Sequence, residues 1–171
     1  MVSSGVLPLL RICALLAALC GAASAIRWSY PPGVPEMAFS EAVVSLQVAG
    51  RTLSLELLRA TSGPQQQRGL MYVTALGPDQ GMVFLNPAPT RGAFWMAHTE
   101  IALDIVFFGR SGRIVDLLHM QPCRHTHLSL CQLYRPAHRY LGAIEMRLGW
   151  FAAHGFGMGS RVRVAAGAQP N

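Results

Sequence analysis

Alternation of apolar and polar positions lays out the first elements of the chain. Val44, Leu46 and Val48 alternate with Ser45 and Gln47, Ala49-Gly50 marks a turn, and Leu53, Leu55 and Leu57 alternate with Thr52, Ser54 and Glu56. A period of two puts every second side chain on one face, so this stretch predicts a β-hairpin with one buried side. Leu103 to Phe108 and Arg113 to His119 flank Gly109-Arg110-Ser111-Gly112 and predict a second hairpin. Gly81 to Leu85 and Ala93 to Met96, separated by the bend at Pro87 to Pro89, read as short strands, as do Arg139 to Met146 and Arg161 to Ala165. Thr61-Ser62-Gly63-Pro64 offers helix-start chemistry for a short helix, Gln65 to Leu70, stopped around Gly69, and Gly149 to His154 is compatible with another. Many short strands, frequent turns and little helix predict an all-β fold. The expected form is a compact sandwich or partly closed barrel of short antiparallel strands with one or two short helices.

The N-terminal region follows a different pattern. Ile12 to Cys20 is an apolar run preceded by Arg11 and followed by Ala23-Ser24-Ala25, the layout of a cleavable secretory signal peptide over residues 1–25. The run from Ile12 to Ala25 is shorter than the roughly 20 apolar residues a membrane-spanning helix needs, and no stable span is expected after cleavage. Residues 26–41, with Pro31-Pro32-Gly33 and Pro35, read as an extended linker. Residues 42–166 read as a single β-rich domain and residues 167–171 as a tail.

Charge narrows the partners. The full chain carries a formal net charge of +6 and contains no lysine. Thirteen of the fourteen arginines and all eight acids lie beyond residue 25, which gives the mature chain +5. Those arginines are scattered singly from Arg27 to Arg163, without the basic stripe a nucleic-acid binder concentrates on one surface. A nucleic-acid partner is therefore not expected. There is no phosphate loop, dinucleotide fingerprint or Gly-x-Ser-x-Gly elbow, so no cofactor and no serine nucleophile are expected. Nothing in the sequence specifies an oligomeric state.

Two of the four cysteines, Cys13 and Cys20, belong to the signal segment, leaving Cys123 and Cys131. In an oxidising compartment a close pair reads as a disulfide across an irregular loop. With His125 and His127 the same cysteines contain the atoms of a tetrahedral zinc set, but their spacing matches no common zinc module. Met71, Met82, Met96, Met120, Met146 and Met158 supply thioethers that could hold Cu(I), with His98 as a further ligand. Methionine is more often a pliable core filler.

A series of ordered motifs then carries a family signature. Arg68-Gly69-Leu70-Met71, Gly81-Met82-Val83-Phe84, Phe94-Trp95-Met96-Ala97-His98-Thr99 and Leu103-Asp104-Ile105-Val106-Phe107 follow at close spacing. Gly112-Arg113-Ile114-Val115, Gln121-Pro122-Cys123 and Gly149-Trp150 with His154-Gly155 and Gly159 complete it. The series resembles the domain-of-unknown-function 192 family, small and often exported bacterial and archaeal proteins, over roughly Val44 to Val164. The resemblance implies a compact β-rich fold and no particular activity. Family members usually carry Lys-Asn-Thr where this chain has Ala97-His98-Thr99, a departure that implies a different ligand or weaker binding if those positions touch one.

The strongest candidate site is Arg68, Trp95, His98, Thr99 and Asp104. A flat aromatic surface, an imidazole, a hydroxyl and a carboxylate suit a pocket that stacks a ligand ring and fixes it by a few hydrogen bonds. Asp104 stands out because it interrupts an apolar strand, where a carboxylate is either exposed or buried with a partner. Its structural alternatives are a pair with Arg68 or a loop cap through Thr99, with Trp95 a core residue. The expected function is a binding or accessory module of the cell envelope for a small polar ligand, such as a saccharide, or for an envelope polymer. An envelope hydrolase with Asp104 and His98 as acid and base is one alternative. An extracytoplasmic copper or zinc binder is the other.

Overall fold

The computed structural model describes residues 28, 30–125 and 127–165, so the proposed signal segment and the C-terminal tail lie outside the described residues. Nine strands form the described part: β1 (Ser40–Val48), β2 (Arg51–Ala60), β3 (Gly81–Thr90), β4 (Phe94–Trp95), β5 (Leu103–Phe108), β6 (Ile114–Met120), β7 (Leu133–Tyr134), β8 (Tyr140–Arg147) and β9 (Arg161–Val164). Two short helices, α1 (Gly63–Arg68) and α2 (Trp150–Ala153), interrupt them.

Seven strands make one sheet in the order β6-β5-β8-β3-β2-β1-β9, and β4 pairs with β7 in a second, two-stranded sheet. Both predicted hairpins are present, with Val44 opposite Leu55 in the first and Ile105 opposite Leu118 in the second. Strand β1 begins at Ser40, two residues inside the segment read as linker. The all-β reading holds with one change: β2 and β3 run parallel, Leu58 beside Met82, so the main sheet is mixed. Helix α1 is the crossover that makes this parallel step. Its start is a capping box, in which Gln65 N–H donates to Ser62 Oγ at 3.4 Å and Ser62 N–H donates to Gln65 Oε1 at 3.1 Å. Strand β3 continues through Pro87 and Pro89 where the proline bend was expected, and its pairing with β8 is irregular between Leu85 and Thr90. Proline removes ladder donors, so such a strand survives only with a local irregularity.

The sheet curls until its edges meet. Arg113 bridges Arg161, Ile114 N–H donates to Ser160 O at 3.0 Å, and Val162 N–H donates to Gly112 O at 2.7 Å. That contact requires Gly112, whose φ is 76° and whose place would force any Cβ into the Val162 carbonyl. β6 and β9 share no ladder beyond this single bridge, so the sheet does not close into a barrel.

Two apolar clusters occupy the two faces. The first takes Val44, Leu46, Leu57, Val83, Val106 and Ile144 from the strands and is covered by Trp150, Phe151 and Phe156 around α2. The second lies on the opposite face, where Met82, Phe84, Ile105, Phe107 and Ala143 pack under the loops and β4. Strand β5, the Gly81–Phe84 half of β3 and most of β8 are thus buried on both sides, which explains why they read as apolar runs, broken in β8 by Glu145, while β1 and the start of β2 alternate.

Candidate functional site

The second face is where a cavity opens. A concavity of about 360 Å³ is bounded by Gln66 to Met71 at the end of α1, by β3, by Gly92 to Trp95 and by β8. Sequence chemistry places each wall. Gly69 ends α1 with φ 46°, and a Cβ at this position would lie 3.4 Å from the Phe84 ring, so the helix stops close against β3. Gln66 Nε2 donates to Leu85 O at 2.9 Å and fastens α1 to that strand. The opposite wall is β4, held from behind by β7. The Cys123–Cys131 disulfide closes the loop that delivers β7. Cys123 N–H donates to Met96 O at 3.2 Å, and Gln121 N–H donates to Tyr134 Oη at 2.9 Å. The disulfide therefore braces the strand that carries Phe94 and Trp95. Closing so short a loop contributes about 2–3 kcal/mol in the chain-entropy model.

Aromatic rings line much of the interior. Phe94 meets Phe84 edge to face with centroids 5.0 Å apart, and Tyr140 lies 6.3 Å from Phe94. The Tyr140 hydroxyl donates to Gly92 O at 3.0 Å, and burial pushes it up to about 12. At the base lies Glu145 on β8, only 4 % exposed. Among the described residues no hydrogen bond or ion pair to its carboxyl group is present. Burial without a partner pushes this carboxyl up to about 8 from its ordinary 4.5.

Of the residues singled out in the sequence, Arg68, Trp95 and Thr99 line this cavity. The Arg68 guanidinium sits 4.9 Å from the Tyr30 ring centroid and 5.1 Å from that of Tyr72, with Nη2 donating to Pro35 O at 2.7 Å. Thr99 is buried, with its hydroxyl donating to Ala97 O at 3.3 Å. His98 is exposed, in the left-handed region at φ 53°, and stacks on Tyr72 at 5.0 Å.

Asp104 belongs elsewhere, and neither the Asp104–Arg68 pair nor the Thr99 cap forms. On β5 it shares the face of Val106 and Phe108, opposite the cavity. Its Oδ1 lies 2.6 Å from His119 Nδ1, and its Oδ2 accepts Gly149 N–H at 2.8 Å. Both oxygens being so engaged, Asp104 has no hydrogen bond to His98, and the acid–base couple expected of a hydrolase is not assembled. The metal readings lose their donors too. Cys123 and Cys131 are consumed by their disulfide, leaving His125 and His127 exposed on the loop. Met82, Met96 and Met120 are core residues on one face, Met146 on the other, and Met158 is exposed, so the thioethers form no single cluster. Glu145 is the residue the sequence reading passed over. Its signal is an acid within the apolar run Ala143-Ile144-Glu145-Met146, the same signal that drew attention to Asp104.

A curled mixed sheet with an aromatic cavity on one face defines a small β-rich domain with a single-carboxyl pocket. Residues 44–164 match the DUF192 family, described as Uncharacterized ACR, and the chain belongs to that family. It is similar to a solved structure from Sinorhizobium meliloti 1021 named a "putative transcription regulator", at 26% identity and a TM-score of 0.68. That match covers 77% of this chain and 98% of the other. It is also similar to a protein of unknown function from Novosphingobium aromaticivorans DSM 12444, at 26% identity and a TM-score of 0.67, covering 81% and 94% respectively. No curated protein matches this chain. Among the described residues no helix is long and apolar enough to cross a membrane.

Proposed function

We propose that this protein is an exported binding module that holds a small polar ligand of saccharide type in the cavity between α1, β3, β4 and β8. The observation that carries the reading is Glu145, a buried carboxyl with no partner among the described residues, lining a pocket walled by Phe84, Phe94, Trp95 and Tyr140. A fold does not leave a polar group so placed without cost, and a ligand that hydrogen-bonds to it recovers that cost. Aromatic faces with a carboxyl and the Thr99 and Asn86 side chains suit a ring bearing hydroxyl groups. The signal-peptide pattern over residues 1–25 and the Cys123–Cys131 disulfide support export to an oxidising compartment. The regulator description of the Sinorhizobium relative does not extend readily to this chain. The described helices are six and four residues long, too short to lie along a DNA groove, and the arginines form no stripe.

The test is a thermal-shift screen of mono- and disaccharides and other small polar compounds against the wild type and Trp95→Ala. A ligand at one hundred times its Kd adds about 2.7 kcal/mol to stability. The expected result is a ligand that raises the wild-type Tm and leaves that of Trp95→Ala unmoved. Compounds that stabilise both proteins equally, or none that stabilises either, count against the pocket.

A further inference from the structure

The surroundings of Glu145 narrow the chemistry of the ligand, on the reading that the cavity is a binding site. The strands flanking β8 place Met82 and Ile105 in register with Glu145, and neither offers a polar side chain. The other titratable groups lining the cavity are Arg68 on α1 and Tyr140 on β8. Arg68 packs on the Tyr30 and Tyr72 rings and donates from Nη2 to Pro35 O, its buried Nε without a partner among the described residues and without a bond to Glu145, and Tyr140 donates to Gly92 O. Among the described residues no cation and no donor is bonded to this carboxyl, and ring faces line the same cavity.

We propose that the cavity is a site for a ligand bearing a protonated primary amine, of amino-sugar class, whose ammonium group docks on Glu145 between the aromatic walls. Two arguments favour an ammonium over a neutral hydroxyl. A carboxylate withdrawn from water is best compensated by a charge that also brings N–H donors. Ring faces, whose quadrupole is negative, attract a cation and gain nothing comparable from a neutral hydroxyl.

Before docking, burial holds Glu145 as the neutral acid at neutral pH. The ammonium docks with all its protons, the carboxyl O–H bond breaks, and that one proton leaves to solvent. The products are a carboxylate–ammonium pair and one free proton. Binding therefore strengthens as pH rises toward about 8, provided the amine keeps its charge.

Isothermal titration calorimetry with 6-amino-6-deoxyglucose and with glucose, in buffers of different ionisation enthalpy, tests this. At pH near 7 the amino sugar is expected to bind about tenfold or more tighter than glucose, the factor worth about 1.4 kcal/mol. It should also release most of one proton per molecule bound. Both the preference and the proton release should vanish in Glu145→Gln, whose near-ultraviolet circular dichroism establishes that it is folded. Equal affinity for the two sugars overturns the amine preference and leaves the pocket standing. Amino-sugar binding without proton release, or unaltered in Glu145→Gln, overturns it too. If neither sugar binds, the proposal falls, and the saccharide screen with Trp95→Ala decides the pocket separately.

Discussion

Asp104 on β5 and Glu145 on β8 are two buried carboxyl groups on neighbouring strands, with relative exposures of 1 % and 4 %. They differ in what meets them. Asp104 faces the same side as Val106 and Phe108 and has both oxygens bonded, one to His119 across the β5–β6 pair and one to the Gly149 backbone where β8 turns into α2. Glu145 faces the other side, has no partner among the described residues, and borders a cavity. One carboxyl ties three elements together. The other is the group on which the proposed binding rests. Burial alone therefore does not single out a candidate acid; burial without satisfaction, beside open space, is the feature that does.

The largest expected effect is on Glu145 and pH. Between its ordinary 4.5 and about 8, the folded protein keeps a proton that the unfolded chain has lost. Its contribution to stability is thus fully present below 4.5 and lost as pH rises through about 8. Within that window the slope is roughly 1 kcal/mol per pH unit. Urea unfolding at several pH values should show this fall in the wild type, and Glu145→Gln should flatten it and be the more stable protein at the alkaline end. Parallel profiles would erase the contrast between the two carboxyls.

Breaking the brace behind the cavity should come next. Replacing Cys123 and Cys131 together by serine is expected to cost about 2–3 kcal/mol in unfolding experiments. Because β7 supports β4, the double variant should also weaken any ligand found by the screen. Intact affinity would mean that the loop does not position Phe94 and Trp95.

Asp104→Asn should cost about 1–3 kcal/mol, since a charged acceptor is replaced by an amide while His119 and Gly149 can turn to water. Those two residues are largely exposed, which keeps the loss moderate. The comparison is sharpened by what this variant should leave alone: ligand affinity at the cavity on the other face. A large loss of affinity without a loss of fold would return Asp104 to the binding site.

The chain's local patterns made much of the fold legible. Alternation marked the first hairpin and the Gly109-Arg110-Ser111-Gly112 turn the second, and the apolar run from Leu103 to Phe108 appears as β5 with those same bounds. The parallel step from β2 to β3 was not legible, because it depends on α1 crossing over, and periodicity carries no information about strand direction. Strand β3 past Pro87 was missed for a related reason: its irregular pairing, which accommodates the prolines, is a tertiary feature. The site was half legible. Arg68, Trp95 and Thr99 converge on the cavity, yet Asp104 does not, because one step along a strand reverses the face. Glu145 carried the same sequence signal as Asp104. What separated them was which side of the sheet faces open space, and that only the assembled sheet shows.

The most direct measurement is the titration of Glu145 itself, by carbon-13 NMR of protein labelled at glutamate side-chain carboxyls, with the resonance assigned through Glu145→Gln. The account predicts a carboxyl that stays protonated through neutral pH and titrates near 8, far above its ordinary 4.5. A Glu145 resonance that titrates in the ordinary carboxylate range would contradict it, for it would mean that this carboxyl is hydrated or already partnered and that nothing is left for a ligand to satisfy.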